Sequence, residues 1–303
     1  MKRILVTGAA GFCGRYMCAY LAGLEQDMYL TGADIFESSN TCCNDFVICN
    51  LACAKDVRTL IKKACPDYII HLAGTFGIDD VEKIYTTNTL SVAAILEAAR
   101  MEVPEAILII TGSAAEYGCI TKKQLPVDEQ TDCTPVTHYG LSKYFSTQLT
   151  NYYHRVYDMC VMIVRPFQLI GKGINEKLVP GAFAEQLRVA ITKDVKVIKV
   201  GNLESSRDFL DIHDAVEAIW DLCKKPAPGQ IFNLCSGKST KIAELLLEMI
   251  CTCGADVKVE YSPSCSKGDL DISDVYGSYK KIKSHCGWAP KVSLQKSISD
   301  MFT

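Results

Sequence analysis

The stretch RILVTGAAGFCGRYM, residues 3–17, constrains the fold more tightly than any other part of this chain. An apolar run ends on Gly8, glycines recur at Gly11 and Gly14, and an amphipathic pattern follows. A strand that passes through three glycines into a helix can turn tightly. It also lets a phosphate approach the N–H groups at the helix start. The spacing is GxxGxxG rather than GxGxxG, so the strand–turn–helix context carries the reading. Gly8, Gly11, Phe12, Cys13 and Gly14 are therefore expected to bind a dinucleotide. Asp34 closes the next strand-like run, 20 residues after Gly14. A carboxylate there accepts from ribose hydroxyls and repels a 2′-phosphate, which favours NAD(H), while Arg15 offers a guanidinium to NADP(H).

Strand-like runs at 3–7, 28–33, 46–50, 68–73, 106–111 and 160–166 alternate with amphipathic helical patterns such as 12–24, 54–64 and 88–101. Such alternation builds βαβ units and a parallel sheet. The fold class expected is α/β, a Rossmann-type doubly wound parallel sheet with a smaller, interleaved C-terminal region. Residues 1–166 form the dinucleotide-binding unit and 207–235 return to it. Residues 167–206 and 236–303 form the substrate-binding region, with strands at 195–201 and 231–235, helices near 180–191, 214–224 and 239–253, and two short helices around a Gly-Trp turn.

A net charge of −3 supplies no electrostatic footprint for nucleic acid. No apolar run reaches the length of a membrane span, and the N-terminus lacks the pattern of an export signal. The protein is expected to be cytoplasmic, without membrane or nucleic-acid partners. That setting favours reduced thiols for the 16 cysteines. No CxxC occurs, so no metal site is expected. Cys18, Cys49, Cys160, Cys223 and Cys235 fall in apolar patterns and read as small core residues.

Tyr139-Gly-Leu-Ser-Lys143 places a phenol and an ammonium on one helix face. A phenol near pKa 10 is a poor acid–base group at neutral pH; a nearby ammonium and an oxidised nicotinamide lower it. Tyr139 can then give a proton to a carbonyl oxygen as hydride arrives, or take one from a hydroxyl as hydride leaves. Ser113, at the end of the run AILIIT, can hydrogen-bond the same oxygen.

TGAAGFCG, HLAG (71–74), Asn88 opening a helix, SAAEYG, YGLSK, RPF (165–167) and RDFLDIHD (207–214), in this order, resemble the extended short-chain dehydrogenases/reductases that act on nucleotide-linked sugars. GNLESSRDFLDIHDAVEAI followed by FNLCSGK is most similar to the GDP-4-keto-6-deoxy-D-mannose reductases within that family. The resemblance implies a triad of Ser113, Tyr139 and Lys143. It implies that Asn50, Leu51, Leu72, Ala73, Gly74, Asn88 and Pro166 border the dinucleotide. It further implies that Arg207 contacts the sugar-nucleotide diphosphate, with Ser113, Ala114, Gln168 and Lys267 also on the substrate. A homodimer through helices near 88–101 and 139–156 follows from the same resemblance.

Related 4,6-dehydratases carry Asp-Glu directly after the catalytic hydroxyl, and related epimerase-reductases carry a cysteine two residues after it. Ala114 and Ala115 occupy those places, and a methyl group does no acid–base work. Two chemistries remain for Ser113, Tyr139 and Lys143. One is reduction of a C4 ketone by NAD(P)H, which the sub-family resemblance favours. The other is C4 epimerisation through NAD. A protein that binds the dinucleotide without turnover is a third reading, disfavoured by the intact YxxxK. The sequence departs from the family at Gln168 and Asn50, where relatives often have Asn and Asp. It also has Gly268-Asp269, beside Lys267, where relatives often have Arg-Pro. The nucleotide base therefore stays open, with GDP as the leading candidate.

Overall fold

The structure is a computed structural model that describes residues 1–24, 27–37, 42–77, 80–263 and 274–303. The first strands and helices in chain order are β1 (Lys2–Thr7), α1 (Phe12–Ala22), β2 (Met28–Asp34), β3 (Asp45–Ile48), α2 (Ala54–Ala64), β4 (Tyr68–His71), α3 (Val81–Tyr85), α4 (Ser91–Glu102), β5 (Ile107–Thr111), α5 (His138–Tyr157) and β6 (Val161–Pro166). The rest are β7 (Gln168–Ile170), α6 (Val179–Lys193), β8 (Val197–Val200), β9 (Ser206–Arg207), β10 (Phe209–Asp211), α7 (Ile212–Lys224), β11 (Ile231–Leu234), β12 (Thr240–Lys241), α8 (Ile242–Cys253), β13 (Lys258–Tyr261), β14 (Asp274–Val275), α9 (Lys280–Cys286) and α10 (Leu294–Phe302).

Seven strands form one sheet in the order β11-β6-β5-β4-β1-β2-β3, and every pairing in it is parallel. The order reverses between β1 and β4, so a crevice opens at their carboxyl ends. Both faces of the sheet are covered, which explains why its strands read as continuous apolar runs rather than alternating ones. Ile4, Val6, Ile70 and Ile109 face α1 and α7; Leu5, Ile69, Leu108 and Ile110 face α2 and α4.

The remaining strands make small sheets: β10 with β7, β12 with β9 and β14, and β13 with β8. Helices α6, α8 and α10 enclose a separate core around Phe183, Leu187, Leu245 and Met249. Cys18, Cys49, Cys223 and Cys235 are buried as expected, and Cys160 is only partly so. Among the described residues, no helix is long and apolar enough to cross a membrane.

Candidate active site

The crevice begins at Gly8, which leaves β1 with φ of +74°, a left-handed conformation that glycine adopts without strain. A Cβ on Gly8 would stand 2.6 Å from the Ala73 nitrogen and 2.9 Å from the Leu72 carbonyl carbon. The glycine turn therefore lies directly against the segment after β4, joining two of the expected cofactor segments. At Gly14 a Cβ would stand 2.0 Å from the Gly8 oxygen, so α1 packs onto the turn itself. Gly11 caps α1 with no side-chain hydrogen bond, and the first turn holds no acidic residue. The first N–H groups of α1 have no intrahelical acceptor, so this helix end fits an anionic pyrophosphate. Phe12 packs edge-on to Tyr16, ring centroids 5.4 Å apart.

Both residues proposed for the ribose end grip Ala10. Asp34 Oδ2 accepts the Ala10 N–H at 3.0 Å, and Arg15 Nη1 donates to the Ala10 carbonyl at 2.9 Å. The Asp34 carboxylate is thereby held beside the glycine turn, where a ribose of the dinucleotide would lie. Asn50 is exposed and accepts the Ala52 N–H at 3.1 Å, shaping the turn after β3. Leu51 is buried in the core that α2 and α4 form against the sheet.

The residues expected to be catalytic come from two neighbouring pieces of chain. Ser113 follows β5 and opens a short turn, its Oγ accepting the Ala115 N–H at 3.1 Å. Tyr139 and Lys143 lie on the first turns of α5, which Thr137 caps by accepting the Gly140 N–H at 3.0 Å. The Ser113 hydroxyl lies near enough to the Tyr139 phenol to favour its ionised form. Lys143 is buried, and its Nζ donates to the Thr111 carbonyl at 2.9 Å. Gly74 makes room for this: a Cβ there would be 3.1 Å from Lys143 Nζ and 3.2 Å from Asn88 Oδ1. Asn88 sits in a π-helical turn (Thr86–Leu90), a distortion that often marks functional sites. Its side chain bonds both polar groups of the Thr75 backbone and donates to Ser142 Oγ at 3.0 Å.

Burial dominates the electrostatics. It draws Lys143 down to about 8, pushes the Cys13 thiol up to about 11 and draws His71 down to about 3. Burial also raises the Tyr139 phenol, and the Ser113 hydroxyl opposes that rise. The lowering that the sequence suggests from Lys143 is thus not what the protein alone provides: its Nζ is directed to the Thr111 carbonyl instead.

Ala115 has a second part besides lacking an acid. Its carbonyl oxygen would be 2.5 Å from a Cβ on Gly140, so α5 begins in close contact with the Ser113 turn. Glu116, Arg165 and Thr147 also meet beneath this turn, and the sequence analysis gave none of them a role. The signal was present as S-x-x-E, a capping box in which Glu116 reaches back to the Ser113 N–H.

The expected substrate residues lie beyond the sheet. Pro166, expected beside the dinucleotide, ends β6 within the sheet, and Gln168 opens β7 with an exposed side chain. Ala114 packs beside Tyr117 and Phe167. Arg207, on β9, is partly buried, and its Nη1 donates to the Ser206 carbonyl at 2.8 Å. Its neighbour Asp208 is buried and accepts from Ser236, Gly237 and Gly277, tying two loops together. Lys267, with Gly268 and Asp269, lies outside the described residues.

A model of the NAD dependent epimerase/dehydratase family matches residues 4–235, from the first strand to the last strand of the central sheet. The chain belongs to that family. Among epimerase/dehydratase relatives, the GDP-6-deoxy-D-mannose reductase of Pseudomonas aeruginosa is 25% identical, over 98% of this chain and 95% of its own. The UDP-glucose 4-epimerase of Mycolicibacterium smegmatis is 26% identical, over 98% of this chain and 96% of its own. The solved structure of RMD from Pseudomonas aeruginosa, complexed with NADPH, superposes with a TM-score of 0.87 at 24% identity, covering 100% of this chain and 98% of that one. The match confirms the doubly wound fold. A reductase and an epimerase of this family stand at nearly equal identity, so family membership does not choose between them.

Proposed function

We propose that this protein is an NAD(P)H-dependent reductase of the C4 ketone of a nucleotide-linked 4-keto-6-deoxyhexose, with a GDP sugar as the leading candidate. The observation that carries the reading is the close approach of the Ser113 turn to the first turn of α5, which brings Ser113 to Tyr139 and the buried Lys143, with methyl groups at Ala114 and Ala115. The glycine turn, the uncapped start of α1 and Asp34 fit a nicotinamide dinucleotide. Phe12, Cys13, Leu72, Ala73, Gly74, Asn88 and Pro166 border it in this reading, and Asp34 favours NAD(H). When bound, the reduced cofactor supplies the hydride.

Ser113 donates a hydrogen bond to the ketone oxygen and stabilises the charge that develops there. Tyr139 delivers its proton to that oxygen. Once the dinucleotide is bound, the positive charge that the nicotinamide gains as hydride leaves, together with Lys143, lowers the phenol enough for it to part with the proton. Arg207 pairs with diphosphate oxygens through its planar fork, and Gln168 borders the sugar nucleotide. Residues 167–206 and 236–303 form the substrate region, and 1–166 with 207–235 form the dinucleotide unit.

The test is direct. The protein is incubated with NADH or NADPH and a GDP-4-keto-6-deoxyhexose, and cofactor oxidation is followed by absorbance. Absence of oxidation with this and every other 4-keto sugar nucleotide overturns the reading. The likeness to a UDP-glucose 4-epimerase supports a second reading, NAD-dependent 4-epimerisation. It requires tightly retained cofactor and interconversion of sugar epimers with no net NADH consumption.

A further inference from the structure

Glu116 is completely buried three residues after Ser113, and its carboxylate is shared by three pieces of chain. Oε1 accepts the Ser113 N–H at 2.8 Å. Oε2 accepts the Thr147 hydroxyl at 2.8 Å, Arg165 Nε at 3.0 Å and Arg165 Nη2 at 2.8 Å. The turn after β5, helix α5 and strand β6 thus converge on one group. Thr147 lies one helical turn beyond Lys143, and Lys143 one turn beyond Tyr139, all on one face of α5. The carboxylate holds the hydroxyl-bearing turn and the phenol-bearing helix at once. Gly112 allows this fit, because a Cβ there would stand 2.3 Å from Oε1. Arg165 is fixed in turn: its guanidinium lies 4.8 Å from the centre of the Tyr117 ring, whose hydroxyl donates to Asn233 at 2.7 Å.

The charge of Glu116 also reaches the reacting groups. It raises the proton affinity of both Tyr139 and Lys143. The other groups facing this pair are the Cys13 thiol from α1, the His71 imidazole from β4 and the Ser113 hydroxyl. Burial keeps both the thiol and the imidazole neutral near pH 7. Arg165 is turned to Glu116 and Tyr117 on the far side of the carboxylate.

We propose that Glu116 is a positioning residue of this site, setting the spacing of Ser113 against the Tyr139–Lys143 helix and fixing a negative charge beneath the two. The proposal deepens the reductase reading and rests on it, since a reductase needs the phenol loaded with its proton before hydride arrives.

The experiment titrates Tyr139 by ultraviolet absorbance, as the difference between each protein and the same protein carrying Tyr139→Phe. In Glu116→Gln the Tyr139 phenol is expected to ionise at lower pH than in the unaltered protein. The alkaline fall of ketone reduction moves the same way. Thr147→Val cuts the helix tether and keeps the charge. Its kcat is expected to fall about tenfold with the titration unmoved, as a small misplacement of reacting groups does. Should Glu116→Gln fail to fold, Glu116→Gln combined with Arg165→Met leaves no unpaired buried charge and is expected to show a downward titration of smaller size, because the cation leaves with the anion. An unmoved titration in the glutamine variants overturns the role of Glu116. The titration needs no sugar, so a protein that shifts its titration but reduces no 4-keto sugar nucleotide refutes the functional reading alone.

Discussion

Burial of His71 between Thr7 and Lys143 gives the protein a pH dependence that a surface histidine would not. Its Nδ1 meets the Thr7 hydroxyl at 2.7 Å, and its Nε2 is buried with no hydrogen-bond partner among the described residues. Protonation would put a charge there with nothing to balance it, beside the Lys143 ammonium, so the pKa drops from 6.5 to about 3. Between those values the unfolded chain binds more protons than the folded one, and stability rises with pH. The contribution is fully present above about 6.5 and is lost as pH falls towards about 3. Each tenfold change in proton affinity is worth about 1.4 kcal/mol, so the loss at about pH 5 is roughly 2 kcal/mol. His71→Asn, which keeps a hydrogen-bonding atom near Thr7, should lose about 2 kcal/mol less than the unaltered protein when denaturant melts near pH 7.5 and pH 5 are compared. Equal losses in the two proteins would show that this imidazole does not titrate across folding.

At the scale of elements, the site depends on how closely α5 begins beside the Ser113 turn. Gly140 is the residue that permits it. Gly140→Ala would place a Cβ 2.5 Å from the Ala115 oxygen and 3.3 Å from the Pro135 side chain, so the first turn of α5 must move. Tyr139 rides on that turn, whereas Lys143 is anchored one turn further on by the Thr111 carbonyl. The expected outcome is a loss of about 100-fold in kcat, because displacements near 1 Å carry costs of that size. Cofactor affinity, read by NADH fluorescence titration, should change far less. An unchanged kcat would refute this contact as the one that positions the phenol. The same element shows what a sequence can and cannot disclose. YGLSK is legible as a pair because its two side chains are one helical turn apart and share one face of α5. The GxxGxxG turn and Asp34 are legible for a similar local reason. The junction at Glu116 was not, because Arg165 lies 49 residues away and Thr147 lies 31. Only the sheet order, which sets β5 beside β6, makes them neighbours. The pairing of β13 with β8 and the two loops gathered on Asp208 escaped for the same reason.

The whole molecule divides its helices between two tasks. Helix α5 turns Ser142, Lys143, Ser146, Thr147 and Thr150 inward and buries them. Its opposite side exposes Phe145, Tyr152 and Val156, at 43%, 42% and 50%. Those positions recur at helical spacing and form a stripe rather than scattered residues. Leu90, just before α4, and Met101, within it, are also exposed, at 57% and 48%. Single exposed apolar residues are ordinary, but an apolar stripe beside a neighbouring apolar helix is a surface that a second subunit can cover. We propose a homodimer in which α4 and α5 of two copies pack together. A stable dimer buries about 800 Å² per partner, and two adjacent helices can supply a surface of that order. Sedimentation velocity should give twice the chain mass. Phe145→Asp combined with Tyr152→Asp should give the single chain mass with an unchanged far-ultraviolet circular dichroism spectrum, because a carboxylate in the middle of the interface cannot be left dry and unpaired. The double variant should still bind NADH, since Lys143 and Ser113 face the crevice on the other side of the helix. A monomer from the unaltered protein at micromolar concentration, or a dimer that survives both substitutions, would refute this interface.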